Sequence, residues 1–229
     1  WIPHHKGGMY RKWYGNKEYV IMWENNGYEI KNRSNSGLQG QNMYFEEILS
    51  WSKSGSRFSI RYYNDQLFDS GSPAIQPKVN IYYVQGLLTS KLGNYFKSFL
   101  NPTLSLQVGD VGAIPFINKS KYIKNVEKLV FHNIKISKTD WDSFETSWDF
   151  QKHPILEHKG DATTIEEAFN NWSEFTHKQF NQLKANEEEL NRIFIDIYGL
   201  QDELTPEVED QDITISKVVE EKSEEDKKN

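Results

Sequence analysis

The longest regular pattern of apolar positions lies in the last third of the chain. From Ile165 to Ile197, apolar side chains recur every three or four residues, which is the spacing of one face of an α-helix. Thr164 and Glu167 have the spacing of a capping box, and Gly199 suits a helix C-terminus. The pattern predicts an amphipathic helix of about 35 residues. Its apolar face must pack against another helix, a neighbouring domain or a second subunit.

The first 136 residues show shorter and more varied patterns. Apolar and aromatic runs between Gly- and Asn-rich turns predict strands, and leucine and aromatic residues at helical spacing predict one helix over residues 85–100. The predicted fold class is α+β, with a mixed, strand-rich domain followed by a long-helix C-terminal segment. The predicted strands are residues 19–23, 57–62, 79–84, 105–108, 114–117 and 128–136.

Charge divides the chain near residue 136. Residues 1–136 hold 17 Lys and Arg against 9 Asp and Glu, a net charge of plus eight, and residues 137–229 hold 10 against 24, a net of minus fourteen. Only the first part has the excess of cations needed to neutralise DNA phosphates and release their counterions. The alternative is that these cations are scattered over a solvated surface. We predict a basic, aromatic-rich domain over 1–136, an acidic helical bracing segment over 137–216 and a charged, disordered tail over 217–229.

The amino-acid composition excludes several classes of site and function for this chain. The chain has no cysteine, which excludes disulfides and thiolate sites and fits a reducing, cytoplasmic compartment. No apolar run approaches the roughly 18 residues of a membrane span, so no membrane partner is expected. The histidines lack the spacing of a metal site or a catalytic triad, so we predict no metal site and no catalytic residue. The first residue is Trp1 rather than Met, and we expect the chain to be part of a longer protein.

One turn partly matches the catalytic turn of amino-methyltransferases. These enzymes flip a base out of the duplex and hold its amino group with an Asn-Pro-Pro-aromatic turn. Asn101-Pro102-Thr103-Leu104 lacks the second Pro and the aromatic residue. No glycine-rich loop for S-adenosylmethionine precedes it. We therefore expect neither this cofactor nor the chemical step in the chain itself.

Several stretches carry a family resemblance. PHHKGGMYRKWYGN occupies residues 3–16, VIMWENNGYEI residues 20–30 and GDVGAIP residues 109–115. DWDSFETSWDF follows at residues 140–150 and LKANEEELN at residues 183–191. Together these resemble the C-terminal part of the PglX family, the adenine-specific DNA methyltransferases of BREX phage-exclusion systems. The GDxGxIP element is also similar to the ends of target-recognition domains in other restriction-modification methyltransferases.

The resemblance implies a division of labour. An upstream methyltransferase domain would bind S-adenosylmethionine and modify adenine N6, while this segment recognises double-stranded DNA, with other BREX subunits as further partners. The alternative is a protein-interaction module that joins the methyltransferase to other subunits of the phage-defence system. Cations and neighbouring aromatic rings suit phosphate contact and base stacking. The residues expected to contact DNA are Arg11, Lys12, Tyr14, Asn16, Lys53, Arg57, Arg61, Tyr62 and Tyr63.

Overall fold

A computed structural model describes residues 1–218 of the chain. The tail predicted over residues 217–229 lies outside the described residues except for Lys217 and Val218. Lys217 Nζ lies 4.8 Å from the centroid of the Phe180 ring, and Ser173 Oγ donates a hydrogen bond to the Val218 carbonyl at 3.0 Å. Within residues 1–218, every helix is too short or too polar to cross a bilayer.

The fold is α+β, as the sequence pattern predicts, but helix dominates it: helices hold 45% of the described residues and strands 9%. The α-helices are α1 (Glu24–Asn32), α2 (Ile81–Thr89), α3 (Lys91–Leu100), α4 (Val108–Gly112), α5 (Ser120–Trp141), α6 (Pro154–Glu157) and α7 (Ile165–Tyr198). The helix α1 opens with a left-handed turn at residues 25–27, where Gly27 has a φ of 72°. Two single turns of 3-10 helix occupy residues 41–43 and 210–212.

Short strands form two three-stranded sheets. The strands are β1 (Ile2–His5), β2 (Tyr19–Ile21), β3 (Ile48–Ser50), β4 (Arg61–Tyr63), β5 (Leu67–Phe68) and β6 (Ala74–Ile75). In the first sheet β1 is central, antiparallel to β2 and parallel to β5. In the second sheet β3 is central and antiparallel to both β4 and β6. An isolated bridge between Trp13 and Arg61 connects the N-terminal segment to the second sheet.

The long C-terminal helix is confirmed with both of its ends. Thr164 Oγ1 accepts a hydrogen bond from Glu167 N, and the Glu167 carboxylate accepts one from Thr164 N, both at 3.2 Å. The helix ends at Tyr198, and the next residue, Gly199, has a φ of 67°, in the left-handed conformation that glycine adopts without steric strain. Of the three predicted partners for its apolar face, the structure shows helices of the same chain: α7 packs against α2, α3, α5 and α6.

Two predicted strands are wrong because they are helices. Residues 128–136 lie wholly inside α5, and most of residues 79–84 lies in α2. A short apolar run fits a buried helix as well as a strand, and periodicity alone does not separate them. Asn80 begins α2 as its N-cap, since its side-chain oxygen accepts a hydrogen bond from Tyr83 N at 2.9 Å.

The other local predictions are met in part. The strand predicted over residues 19–23 is confirmed in β2, and the one predicted over residues 57–62 overlaps β4 only at its end. Residues 105–108 and 114–117 form no strand, apart from an isolated bridge at Ser105. The helix predicted over residues 85–100 is divided between α2 and α3, because Ser90 has an extended ψ of 170°.

One apolar core extends across the predicted domain boundary. The boundary between residues 136 and 137 falls inside α5. Trp13 belongs to the same buried cluster as Val126 of α5 and Leu183 and Phe194 of α7. The basic first part and the acidic second part therefore share one core among the described residues.

Candidate nucleic-acid interface

Arg11 and Lys12, the first two predicted DNA contacts, pair with residues of the acidic second part of the chain. Arg11 Nη1 lies 3.1 Å from Asp140 Oδ2, and Lys12 Nζ lies 2.7 Å from Glu187 Oε2. Burial alone would lower the pKa of Lys12, but the charge and hydrogen bond of Glu187, together with Tyr10 and Asp212, outweigh burial, and the pKa is raised. Lys12 is therefore charged and neutralised inside the protein.

Arg61 and Tyr63 are completely buried on β4. The Arg61 guanidinium donates to Tyr63 Oη at 2.8 Å, to the Arg11 carbonyl at 2.9 Å and to Ser52 Oγ at 3.2 Å. Tyr63 Oη in turn donates to the Gly15 carbonyl at 2.8 Å, and burial raises the pKa of this phenol to about 12. These groups bind the N-terminal segment to the second sheet.

Tyr14, Asn16 and Tyr62 are also engaged within the chain. Tyr14 and Asn16 are buried, and Asn16 Nδ2 donates to the Met9 carbonyl at 2.9 Å. The Tyr62 hydroxyl donates to the Glu47 carboxylate, and burial together with this hydrogen bond raises the pKa of Tyr62. All three side chains stabilise the fold, and their contact with DNA stays a prediction.

Lys53 and Arg57, on the loop between β3 and β4, have more accessible cationic groups. Lys53 is partly exposed and has no ion pair among the described residues. The Arg57 side chain is 43% exposed, lies over the Tyr10 ring at 4.0 Å and pairs with Asp212 Oδ1 at 2.5 Å. Of the nine predicted contacts, these two residues bring a cation to the surface.

Sequence reasoning missed a row of lysines on α5. Lys121, Lys124, Lys128 and Lys135 are exposed and separated by three, four and seven residues, which places them on one side of a helix. None of them has a carboxylate partner within residues 1–218. We call these four residues the lysine face. Helical spacing was the available signal, but residues 128–136 were predicted to be a strand, which would have divided these side chains between two faces.

An exposed aromatic residue lies beside the lysine face. Phe131 is 57% exposed, and its ring packs in a T-shaped arrangement with Tyr82 at 6.2 Å between centroids. Tyr82 in turn contacts Tyr62 at 5.9 Å. Cations beside aromatic rings suit contact with a nucleic-acid backbone and its bases or sugars.

Comparison with known proteins shows that the chain is similar to adenine-specific methyltransferases. No protein-family model matches it. It is 40% identical over 230 residues to the adenine-specific methyltransferase PglX of Lacticaseibacillus casei (strain Zhang), covering 94% of this chain and 19% of that protein. It is 38% identical over 212 residues to the adenine-specific methyltransferase BrxX of Escherichia coli O9:H4 (strain HS), covering 90% of this chain and 17% of that protein. The chain is homologous to one segment of these methyltransferases.

The chain spans about a fifth of the length of the curated relatives that it matches. The similarity to PglX that the sequence motifs indicate is confirmed over almost all of the chain. The identity is too high and too continuous to rest on a few shared motifs.

Proposed function

We propose that this chain recognises double-stranded DNA as the target-recognition segment of an adenine-specific DNA methyltransferase of BREX-type phage defence. The observation that carries the proposal is the lysine face of α5, in a chain homologous to a segment of such methyltransferases. Four exposed ammonium groups without carboxylate partners in the described part of the chain suit a polyanionic partner.

The dimensions of the lysine face fit a DNA backbone. From Lys121 to Lys135 the helix advances about 21 Å at 1.5 Å per residue, which corresponds to about six nucleotides of one strand at 3.4 Å each. Each phosphate neutralised releases counterions and adds about 0.9 to the slope of log affinity against log salt. Four such contacts give a slope between about −3 and −4.

Phosphate contacts position a protein but do not read sequence. Base edges must be read by side chains that enter a groove, and exposed polar loops suit this role because they vary without disturbing the core. The loop that carries Lys53 and Arg57 is the predicted candidate that the structure leaves accessible. The proposal therefore assigns positioning to the lysine face and base readout to surface loops.

Methyl transfer belongs to other parts of the methyltransferase in this proposal. Modification of adenine requires the base to be flipped out of the duplex into a pocket. S-adenosylmethionine would be held by the upstream methyltransferase domain, and the flipped base is only one position of the target. A separate surface for the remaining base pairs follows from that geometry.

The acidic part of the chain is proposed to brace the recognition surface. Its carboxylates contact cations of the first part at three points, formed by Arg11 with Asp140, Lys12 with Glu187 and Arg57 with Asp212. The remaining exposed acidic surface is proposed to face the catalytic domain or another BREX subunit rather than DNA, because like charges repel.

Charge reversal on the lysine face tests the proposal. The variant K124E/K128E removes two phosphate contacts and adds two repulsive charges. We expect its affinity for a labelled duplex, measured by fluorescence anisotropy, to fall at least tenfold. Its salt slope should be shallower by about 1.8, from two contacts at roughly 0.9 each.

The matched control is K159E/K178E, which makes the same change in net charge at two exposed lysines of the acidic part. We expect the duplex affinity of this control to change less than about twofold, since these side chains lie outside the lysine face. Equal weakening by both variants, or an affinity independent of salt, would contradict DNA contact by the lysine face. A salt-independent result would favour the protein-interaction alternative.

A further inference from the structure

A small pocket on the loop between β3 and β4 is lined mainly by hydroxyl groups. It has a volume of about 230 Å³, and its lining includes Ser52, Ser54, Ser56, Ser59, Gly55 and Arg57. No Asp or Glu is among the described residues that line it. We call this cavity the serine pocket. Its composition favours a ligand that accepts hydrogen bonds and carries negative charge.

Two of the four serine hydroxyls are available to a ligand. Ser52 Oγ donates to the Gly8 carbonyl at 2.9 Å and Ser59 Oγ donates to the Arg11 carbonyl at 2.8 Å. The hydroxyls of Ser54 and Ser56 make no hydrogen bond within residues 1–218, and both residues are exposed. These two groups can therefore donate into the serine pocket without breaking a bond that stabilises the fold.

A buried positive charge lies behind the pocket. Arg61 is 0% exposed, and its Nη2 donates to Ser52 Oγ at 3.2 Å. Its three hydrogen-bond partners are all neutral, and no carboxylate pairs with it in the described part of the chain. A buried charge without a counterion acts over a longer range than a solvated one. The lowered pKa of the neighbouring His5, caused first by burial and then by the charge of Arg61, is consistent with this field.

We propose that the serine pocket binds a phosphate group, and that the DNA backbone supplies it. The hydroxyls of Ser54 and Ser56 and the guanidinium of Arg57 are the donors, and Arg61 contributes its charge through Ser52. Arg57 is held at the rim over the Tyr10 ring and has more donors than its single bond to Asp212 uses. The choice of DNA as the source rests on the proposed function, whereas the phosphate chemistry rests on the pocket alone.

Gly55 allows a sharp test in the full 229-residue chain. An added Cβ at Gly55 would have only the Arg57 carbonyl oxygen within 4 Å, at 3.6 Å, and at Gly37 it would have nothing within 4 Å. Neither glycine has a positive φ, so both accept a side chain. Gly55→Asp puts a carboxylate in the pocket, and Gly37→Asp makes the same change of charge on another loop.

The first arm measures duplex affinity at several salt concentrations. We expect Gly55→Asp to weaken binding about tenfold and to reduce the salt slope by about 0.9, one phosphate contact, while Gly37→Asp changes affinity less than about twofold. The second arm follows amide NMR signals of residues 54–57 during titration with inorganic phosphate. We expect saturable shifts in the parent chain and in Gly37→Asp, and none in Gly55→Asp.

The two arms separate this inference from the proposed function. Equal duplex affinity of the two variants without phosphate-induced shifts would overturn the pocket, while the lysine-face experiment would still decide DNA binding. Shifts with inorganic phosphate but equal duplex affinity would overturn DNA as the source. If the parent chain bound no duplex at all, the proposed function would be wrong, and the phosphate titration would decide the pocket on its own.

Discussion

Lys12 Nζ and Glu187 Oε2 lie 2.7 Å apart although 175 residues separate them in sequence. Their side chains are only 9% and 5% exposed. The other Glu187 oxygen accepts a hydrogen bond from Trp13 Nε1, also at 2.7 Å. One carboxylate on α7 thus satisfies two donors of the N-terminal segment. This contact joins the basic first part of the chain to the long helix.

We expect Glu187→Ala to reduce the free energy of unfolding by about 3 to 5 kcal/mol, because it leaves the buried Lys12 ammonium without a counterion. Urea denaturation monitored by circular dichroism measures the change. The control is Glu189→Ala, which removes the partner of Arg192 from an exposed pair and should change stability by less than about 1 kcal/mol. Similar losses in the two variants would contradict the structural role of the buried pair.

Protonation of His5 should destabilise the fold at mildly acidic pH. The folded-state pKa of His5 lies well below 6.5, first because of burial and then because of the charge of Arg61. The unfolded chain therefore binds this proton more readily than the folded chain. The corresponding stability is fully present above about pH 6.5 and is lost as the pH falls toward the folded-state pKa.

Denaturation between pH 5.5 and 7.5 tests this expectation. His5→Phe keeps an aromatic ring against Tyr63, 4.1 Å away between centroids, but removes the titrating group. The variant should show a flatter dependence of stability on pH than the parent chain. A residual slope is expected from His158, whose pKa burial also lowers. Identical slopes in parent and variant would contradict the assignment to His5.

The capping box at the start of α7 should contribute measurably to stability. Thr164→Ala removes the oxygen that accepts from Glu167 N, and we expect a loss of about 1 kcal/mol. Thr164→Ser keeps that oxygen and serves as the matched control, with a change of less than half this size. Thermal unfolding measures both. An equal loss in the serine variant would show that the methyl group, rather than the cap, is responsible.

The sequence was most informative where local signals agreed. For α7 the capping box, the apolar periodicity and Gly199 all indicate one helix, and the structure confirms its ends at Ile165 and Tyr198. For α5 the signals conflict, because the buried face includes the polar residues Asn133 and Ser137. Asn133 lies inside the predicted strand and Ser137 directly follows it, so the apolar stripe is interrupted and residues 128–136 fit a strand equally well.

The candidate site was harder to predict than the fold because charge does not reveal burial. Lys12 and Arg61 are cations in a basic segment, and both are inside the protein. The partner of Lys12 is on a helix that begins more than 150 residues later, a distance over which sequence patterns carry no pairing information. The lysine face, by contrast, follows from the helical spacing of its four lysines. It was missed because part of α5 was predicted to be a strand.

The ion pair between Arg57 and Asp212 yields a prediction about affinity rather than stability. Asp212 Oδ1 lies 2.5 Å from Nη2 of Arg57, the guanidinium that we propose binds phosphate. The Asp212 carboxylate therefore competes with DNA for the same donors. Asp212→Asn removes this competition and should strengthen duplex binding about two- to fivefold, the equivalent of an exposed ion pair. Because both side chains are about a third or more exposed, the free energy of unfolding should change by less than about 1 kcal/mol.

The control for that prediction is Asp161→Asn, which makes the same charge change at an exposed residue before α7. A general electrostatic effect would strengthen binding equally in both variants, whereas competition at Arg57 affects only Asp212→Asn. The double variant Asp212→Asn with Arg57→Gln completes the cycle. If Asp212 acts through Arg57, its removal should have no effect once the guanidinium is absent. A gain in affinity that persists in the double variant would contradict competition between this carboxylate and phosphate.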